Sequence, residues 1–321
     1  MNRRRFLHLA AVAAALAGAA GAARAEDYPA RPLRIVVPYP PGIAPDIATR
    51  LVSQALAERL DQQIVVDNRP GGASNIGTEI VARAPADGYT LLTLTTTNTI
   101  NVSLYRDLGF DLLRDFAPVA GLVRLPLVLV VNPAVPAATL AEFVAYAKAN
   151  PGKINYASVG SGAATNVAGE LFKTMAGVNL VNVPYRTSYM PDLINGQVQA
   201  AFTPILQSVG YIRAGKLRAL AVTTAAPAAA LPGIATVAQV VPGYEAAVWD
   251  AVGAPAHTPR GIVDKLNKEI NAVLADAKMK ARLADLGGEP MLMTPVELGA
   301  YMAAETEKWS GIVKLAGIKP E

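Results

Sequence analysis

Cysteine is absent from the 321 residues, and histidine occurs twice. Without Cys there is no disulfide, no thiol nucleophile, no thiolate metal site and no lipidated residue behind a leader. His8 lies in an N-terminal leader, which leaves His257 alone in "PAHTPRG", just ahead of a helical pattern and in the setting of a loop residue. Nucleophile triads built on His, and zinc sites of the His/Cys kind, have little to draw on. Paired carboxylates at strand ends, another route to general acid and base work, are not evident either. The composition points away from an enzyme, and no metal or cofactor is expected.

Positive charge is scarcer than a first count suggests. The opening "MNRRRFLHLAAVAAALAGAAGAARA" joins a basic start to an Ala- and Leu-rich run and ends in Ala23-Arg24-Ala25, a small-x-small cleavage site. Residues 1–25 read as a signal peptide, cut after Ala25, that exports the rest of the chain. Arg3-Arg4-Arg5-Phe6-Leu7 also fits a twin-arginine signal, so two export routes stay open. The run is too rich in Ala and Gly for a spanning anchor, which wants about 20 strongly apolar residues. Arg3, Arg4, Arg5 and Arg24 leave with the signal and no acid does, so 29 basic against 25 acidic residues becomes 25 against 25. That balance gives no electrostatic footprint for nucleic acid.

Removing the signal leaves 296 of the 321 residues, near the size at which one core divides into two domains of roughly 100 to 150 residues. Short apolar runs alternate with helical patterns, the mark of an α/β fold with largely parallel sheets. "RIVVPY" (Arg34 to Tyr39), "IVVDN" (Ile64 to Asn68), "YTLLTLT" and "LVLVVN" (Leu127 to Asn132) read as strands. "LVNVPY", "VQAAF" and "LRALAVT" continue the series. In "DIATRLVSQALAERL" the apolar residues Ile47, Leu51, Val52, Ala55, Leu56 and Leu60 share one helical stripe, with Asp46 placed to cap the first turn. A second helix carries Val167, Leu171 and Met175 as its buried stripe and stops at Gly177. Thr139-x-x-Glu142 and Thr294-Pro295-Val296-Glu297 are capping boxes.

Two passages run from a strand through a glycine turn into a helix: "PYPPGIAPD" (Pro38 to Asp46) and "NYASVGSGAATNVAGELF" (Asn155 to Phe172). Such a turn holds anions through free N–H groups and the helix dipole. Gly160-Ser161-Gly162 begins like a dinucleotide fingerprint, yet Thr165 stands at the third glycine position and no phosphate-loop Lys follows. A carboxylate fits the same donors better than a nucleotide phosphate. Ligands of open α/β sheets sit beyond the carboxyl ends of the strands, so the two turns would face each other across a cleft as an anion clamp. Taken singly, Gly42 and Gly160 would serve equally well as plain tight-turn residues.

Many further motifs then fall in one order: "VVDNRPGGASNIG", "APADGYTLL", "LRDFAPVAGL", "NPGKINYASVGSG", "AGELFKTMAGV", "VPYR", "INGQV", "AGKLRALAVTT", "HTPRGIVDKLN" and "AETEKWSGIVKLAGIK". Through them the sequence resembles the Bug family of periplasmic solute-binding proteins, the receptors of tripartite tricarboxylate transporters, over essentially the whole mature chain. The resemblance implies a type II periplasmic-binding-protein fold, with two α/β lobes closing over a small carboxylate. Lobe one would comprise residues 26–125 and 246–321, the latter with the C-terminal helices, and lobe two residues 126–245. The crossings would lie near Leu125 to Val128 and Ala246 to Val252. The partners implied are permease subunits or, alternatively, a sensor kinase; the protein is expected to act as a monomer in the periplasm.

Carried over by position, the family's first-lobe turn falls on Tyr39, Pro40, Pro41, Gly42, Ile43, Ala44 and Asp46, and the turn after the third strand on Thr95, Thr96, Thr97 and Asn98. The second-lobe turn supplies Ser158, Gly160, Ser161, Gly162, Thr165 and Asn166, and "VPYR" leads to Arg186, Thr187 and Tyr189. Backbone N–H groups around Gly42 and Ala44 would hold one carboxylate, the second-lobe turn the rest, and Arg186 would fork onto a second carboxylate. Departures from the family bear on the ligand. Ile43, Ala44 and Pro45 make the first turn bulky, Asn166 stands where His is frequent, and Thr203 stands where an acid is frequent. Without that acid an amino acid's ammonium loses a partner, so a dicarboxylate or an aromatic carboxylate is favoured, with Tyr39, Ile43, Tyr189 and Met190 giving apolar contact.

Overall fold

The computed structural model describes residues 28–318 apart from Ser161 and Leu286; the signal peptide expected at residues 1–25 lies outside the described residues. The first three strands are β1 (Leu33–Val37), β2 (Ile64–Asn68) and β3 (Thr90–Thr95), paired in parallel with β1 in the middle. They are joined by α1 (Ala44–Leu60) and α2 (Asn75–Ala82), the crossover helices that parallel strands require. Of the stripe read from the sequence, α1 buries Leu51, Val52, Leu56 and Leu60, while Ile47 and Ala55 are half-buried. Asp46 is not its cap: the N-cap is Ile43, and Asp46 sits in the first turn and reaches back. After β3 the chain enters α3 (Thr96–Leu104) directly.

The strand expected from Leu127 is the second part of β4 (Phe116–Val131), a buried ribbon of 16 residues. From Phe116 to Pro126 it pairs antiparallel with β9 (Ala247–Pro255). From Leu127 onward it pairs instead with β7 (Ala200–Pro204) and β8 (Arg218–Val222). β4 thus threads two sheets, and the backbone bonds Thr223 N–H to Leu127 O (2.9 Å) and Ala246 N–H to Thr223 O (3.0 Å) fasten β9's entry to the changeover. In the second sheet β5 (Asn155–Ser158) lies between β6 (Val181–Pro184) and β7, all parallel. Its helices are α4 (Leu140–Ala149), α5 (Ala164–Ala176), α6 (Met190–Ile194) and α7 (Ile205–Arg213). The chain ends with α8 (Arg260–Ala275), α9 (Ala277–Asp285), the short β10 (Glu289–Pro290) beside β4, and α10 (Pro295–Leu315). From Pro32 on, the residues form one compact unit.

Capping follows local chemistry. Thr294 and Glu297 exchange both bonds of a capping box at α10. At α4 only half of the expected box forms: Thr139 Oγ1 accepts from Glu142 N–H, but the Glu142 carboxylate takes the Ala138 N–H instead. Gly177 ends α5 in the left-handed region, as its position predicts, while Met175 is half-buried rather than part of the core stripe.

Each sheet has its own apolar core. Leu92, Leu94, Phe116, Trp249, Leu298 and Met302 pack around the first, and Val128, Val130, Leu193, Ile205 and Leu231 around the second. Burying one such side chain contributes about 1.5–3 kcal/mol. Tyr189 and Met190 belong to the second core: Tyr189 is fully buried, and its hydroxyl donates to Thr203 Oγ1 at 2.8 Å. The expectation that these residues give the ligand apolar contact is corrected, because the short α6 turns them inward under β7. Among the described residues no helix is long and apolar enough to cross a membrane.

Candidate functional site

The carboxyl ends of β1, β3, β5 and β7 converge on one small cavity of about 40 Å³. Each contributes the turn or helix start that follows it: Tyr39 and Ile43, Thr95 to Thr97, Val159 and Thr165, Pro204 and Gln207. Strand β9 adds Val248, Trp249 and Asp250, and β4 adds Leu125. Four helix N-termini therefore point at one small space, each with first-turn N–H groups that no helical carbonyl can reach. The start of α3 is closed by its own residues, since Asn98 Oδ1 accepts from Thr95 N–H at 2.8 Å. The N-caps of α1, α5 and α7 are Ile43, Ala163 and Pro204, none of which supplies a side-chain cap. Leaving a helix start uncapped costs about 1 kcal/mol, and three such starts around one cavity make a site of positive potential.

The two glycine turns share a construction. Gly42 has φ 80° and donates its N–H to Asp46 Oδ2 at 2.9 Å; Gly162 has φ 77° and donates to Asn166 Oδ1 at 3.0 Å. In both, an acceptor in the helix's first turn reaches back four residues and locks the loop. The Gly42 N–H is consequently committed, and Asp46 is a buried turn-former that also accepts from Arg50 Nε (2.8 Å) and Asn68 Nδ2 (2.9 Å). Asn166 is likewise committed, donating to Tyr156 Oη at 2.9 Å. These three, expected as ligand contacts, instead hold up the turns from behind. Asn98 does the same for α3, donating to Thr78 Oγ1 at 2.8 Å.

Thr97 ties the two turns together. Its Oγ1 accepts from Tyr39 Oη at 2.6 Å and from the Ala164 N–H at 3.3 Å, so the first residue of α5 is bonded to the start of α3. Val159 packs beside this bridge against Tyr39 and Ile43. Burial raises the Tyr39 hydroxyl's pKa, its hydrogen bond with Thr97 works against that, and the charge of Asp250 raises it further. Thr96 Oγ1 accepts from Trp249 N–H at 2.8 Å, joining α3 to β9.

The remaining expected contacts scatter. Thr165 lines the cavity, and its Oγ1 accepts from Val159 N–H at 3.4 Å. Ser158 is buried and bonds within its own turn, to Gly160. Pro40, Gly160 and Arg186 border a wider outer cleft of about 680 Å³, which meets the inner cavity at Tyr39 and Val159. Pro41 and Thr187 are exposed, and Arg186 projects at the rim with no ion pair among the described residues. Thr203 is buried in the second core. Ser161 lies outside the described residues.

Sequence reasoning missed Gln207 and Asp250. Asp250 is only 2% exposed; its Oδ2 has no hydrogen-bond partner, and neither Gln207 side-chain polar atom has one. Burial pushes the Asp250 carboxyl up to about 8. A signal was present: Asp250 is the lone charge in the apolar strand "AVWDAVGAP", where an acid is rarely tolerated without a task.

Two sheets sharing long crossing strands, with helix starts gathered where they meet, define a solute-binding protein of the type II periplasmic class. The chain belongs to the tripartite tricarboxylate transporter family of receptors, whose family model matches residues 48–318. It is 34% identical over 324 residues to Protein BugT of Bordetella pertussis, covering 99% of each chain. The solved structure of Rpa4515 from R. palustris with adipate superposes with a TM-score of 0.89 at 36% identity, covering 92% of this chain and all (100%) of that one. MatC of Rhodopseudomonas palustris with bound malate gives 0.84 at 28% identity, covering 89% and 100%. Receptors of this family are periplasmic binding proteins rather than enzymes.

Proposed function

We propose that this chain, exported after cleavage behind Ala25, captures a small dicarboxylate between two lobes in the periplasm and delivers it to a tripartite tricarboxylate-type permease, without catalysis. One observation carries the reading: three helix N-termini whose own N-cap residues supply no side-chain acceptor, those of α1, α5 and α7, meet at a single cavity. The Ala44 and Ala164 N–H groups are the donors best placed for the first carboxylate, replacing the wider set inferred from sequence. That adipate and malate occupy two relatives supports a dicarboxylate over an aromatic acid.

The lobes divide where β4 changes partners between Pro126 and Leu127, and at the start of β9. At about 40 Å³ the cavity has room for about three waters. A four- to six-carbon acid therefore enters only when the Thr97–Ala164 bridge opens, and it replaces that bridge with its own contacts on closure. The ligand selects the closed state by the bonds it makes only there. Arg186 at the rim serves the approach of anions.

Residues 26–321, unfolded and refolded to strip any retained solute, should melt higher with one class of dicarboxylate. A ligand at about 100 times its dissociation constant adds roughly 2.7 kcal/mol. A shift with nucleotides, or with no carboxylate at all on folded protein, would overturn the reading. Binding of the loaded receptor to reconstituted permease, and its failure with a sensor domain, tests the partner.

A further inference from the structure

Asp250 occupies an unusual position for a carboxyl group. It sits in the middle of β9, lines the inner cavity, and leaves Oδ2 without a partner. Gln207 lines the same cavity from the first turn of α7 with its amide nitrogen and oxygen both unpartnered. Buried polar atoms are nearly always paired, so three open atoms in one cavity mark the place where a ligand's polar end belongs.

The surroundings decide which end. Among the described residues no Lys, Arg or His lines this cavity, and Tyr39, from the turn after β1, is the one other titratable side chain there. From the neighbouring strand and helix, Thr95 and Thr96 are uncharged, while Glu79 of α2 is engaged at the surface with Arg83. Arg124 of β4, Glu245, and Tyr301, Glu305 and Lys308 of α10 gather instead around Trp249. Successive residues of a strand point to opposite faces, so these groups lie across the sheet from Asp250. An ionised Asp250 would thus have no cation, in a space whose uncapped helix starts favour incoming negative charge.

Resting on the dicarboxylate reading above, we propose that Asp250 acts as a neutral, proton-bearing acid that donates a hydrogen bond to the ligand's second carboxylate, with the Gln207 amide beside it. Two carboxyl groups in contact without a cation cannot both ionise, so the pair shares one proton. The first carboxylate rests on the helix starts and the second on Asp250, and the spacing between them selects chain length. No bond is broken: the proton that Asp250 carries in the empty protein stays in the complex. The raised Asp250 pKa agrees with this assignment at neutral pH.

Calorimetric titration of the refolded protein with malate, succinate and adipate at several pH values tests the proposal. The dissociation constant should stay level up to about pH 7.5 and then rise, by about tenfold between pH 7 and pH 9, as ionisation of Asp250 competes with binding. Asp250→Asn, whose amide donates at any pH, should bind within about threefold of the native protein at pH 7 and lose the alkaline decline. Asp250→Ala should lose tenfold or more. Affinity that rises with pH, together with preference for aspartate or glutamate over its deaminated counterpart and loss of binding in Asp250→Asn, would overturn the proposal in favour of an ionised Asp250 pairing with an amine. A level pH profile with unaltered binding by both variants would overturn it as well. In either case the carboxylate receptor stands; absence of any carboxylate binding would instead sink the reading beneath it.

Discussion

The turns after β1 and β5 solve one problem with different chemistry. Each places a glycine at positive φ two residues before the helix, then an apolar N-cap, then an alanine whose N–H opens the helix, then a polar residue reaching back to the glycine. In the first turn that residue is the acid Asp46, with Arg50 bonded to it at 2.8 Å. In the second it is the neutral Asn166, backed by Tyr156, whose hydroxyl is bonded to Glu170 at 2.6 Å. An acid beside an anion site repels the ligand unless a cation offsets it, whereas an amide needs no such partner. The shared requirement is an acceptor for the glycine N–H; charge is tolerated only where its counterion can reach.

Exchanging these residues tests that account. Asn166→Asp should have the largest effect. It puts a carboxylate where Lys173 is already engaged with Glu170, and an uncompensated buried charge costs about 3 kcal/mol or more. Its folded-state pKa should rise above the unfolded value, so the loss should be full at neutral pH and shrink as pH falls toward the unfolded carboxyl's range near 4. Melting curves at pH 7 and pH 4.5 should converge on those of the native protein at the acid end.

The glycines should separate next. An added Cβ at Gly162 would stand 2.7 Å from Leu104 Cδ1, whereas at Gly42 it meets nothing within 4 Å. Gly162→Ala should cost about 2–4 kcal/mol through strain and overpacking together, and Gly42→Ala about 1–2 kcal/mol through its positive φ alone. Equal losses in denaturant unfolding would show that Leu104 gives way.

Thr97→Val removes the acceptor shared by Tyr39 and Ala164. The expected cost is about 1–2 kcal/mol, with faster hydrogen exchange at Ala164 and unchanged exchange at Ala44. Asp46→Asn should matter least, since it copies the second turn's arrangement and keeps an acceptor for Gly42. Arg50 is half exposed, so losing the ion pair should cost about 0.5–1 kcal/mol at most. A larger loss would show that the acid has a role the amide cannot take.

Much of the fold was legible because its signals are local. Apolar runs, helical stripes and both glycine turns declare themselves within a few residues, and β2 and the Thr294 cap fall where the pattern puts them. The turns themselves were legible as glycine turns that open helices, but which of their groups are left free was not. Gly42, Asp46, Asn98 and Asn166 have the right chemistry for contact, yet each finds its partner inside the protein.

Sequence alone determined that the chain is an α/β protein with two passages from strand through glycine turn to helix, because periodicity and composition need no distant neighbour. Tertiary structure alone decided that Tyr189 and Thr203 pack into a core, that Arg186 stays at the rim, and that Gln207 and Asp250 meet in the cavity. Those outcomes depend on strand register. A side chain's face alternates with every residue, and the pairing of Asp250 with Thr95 on one side and Val123 on the other joins segments far apart in the chain.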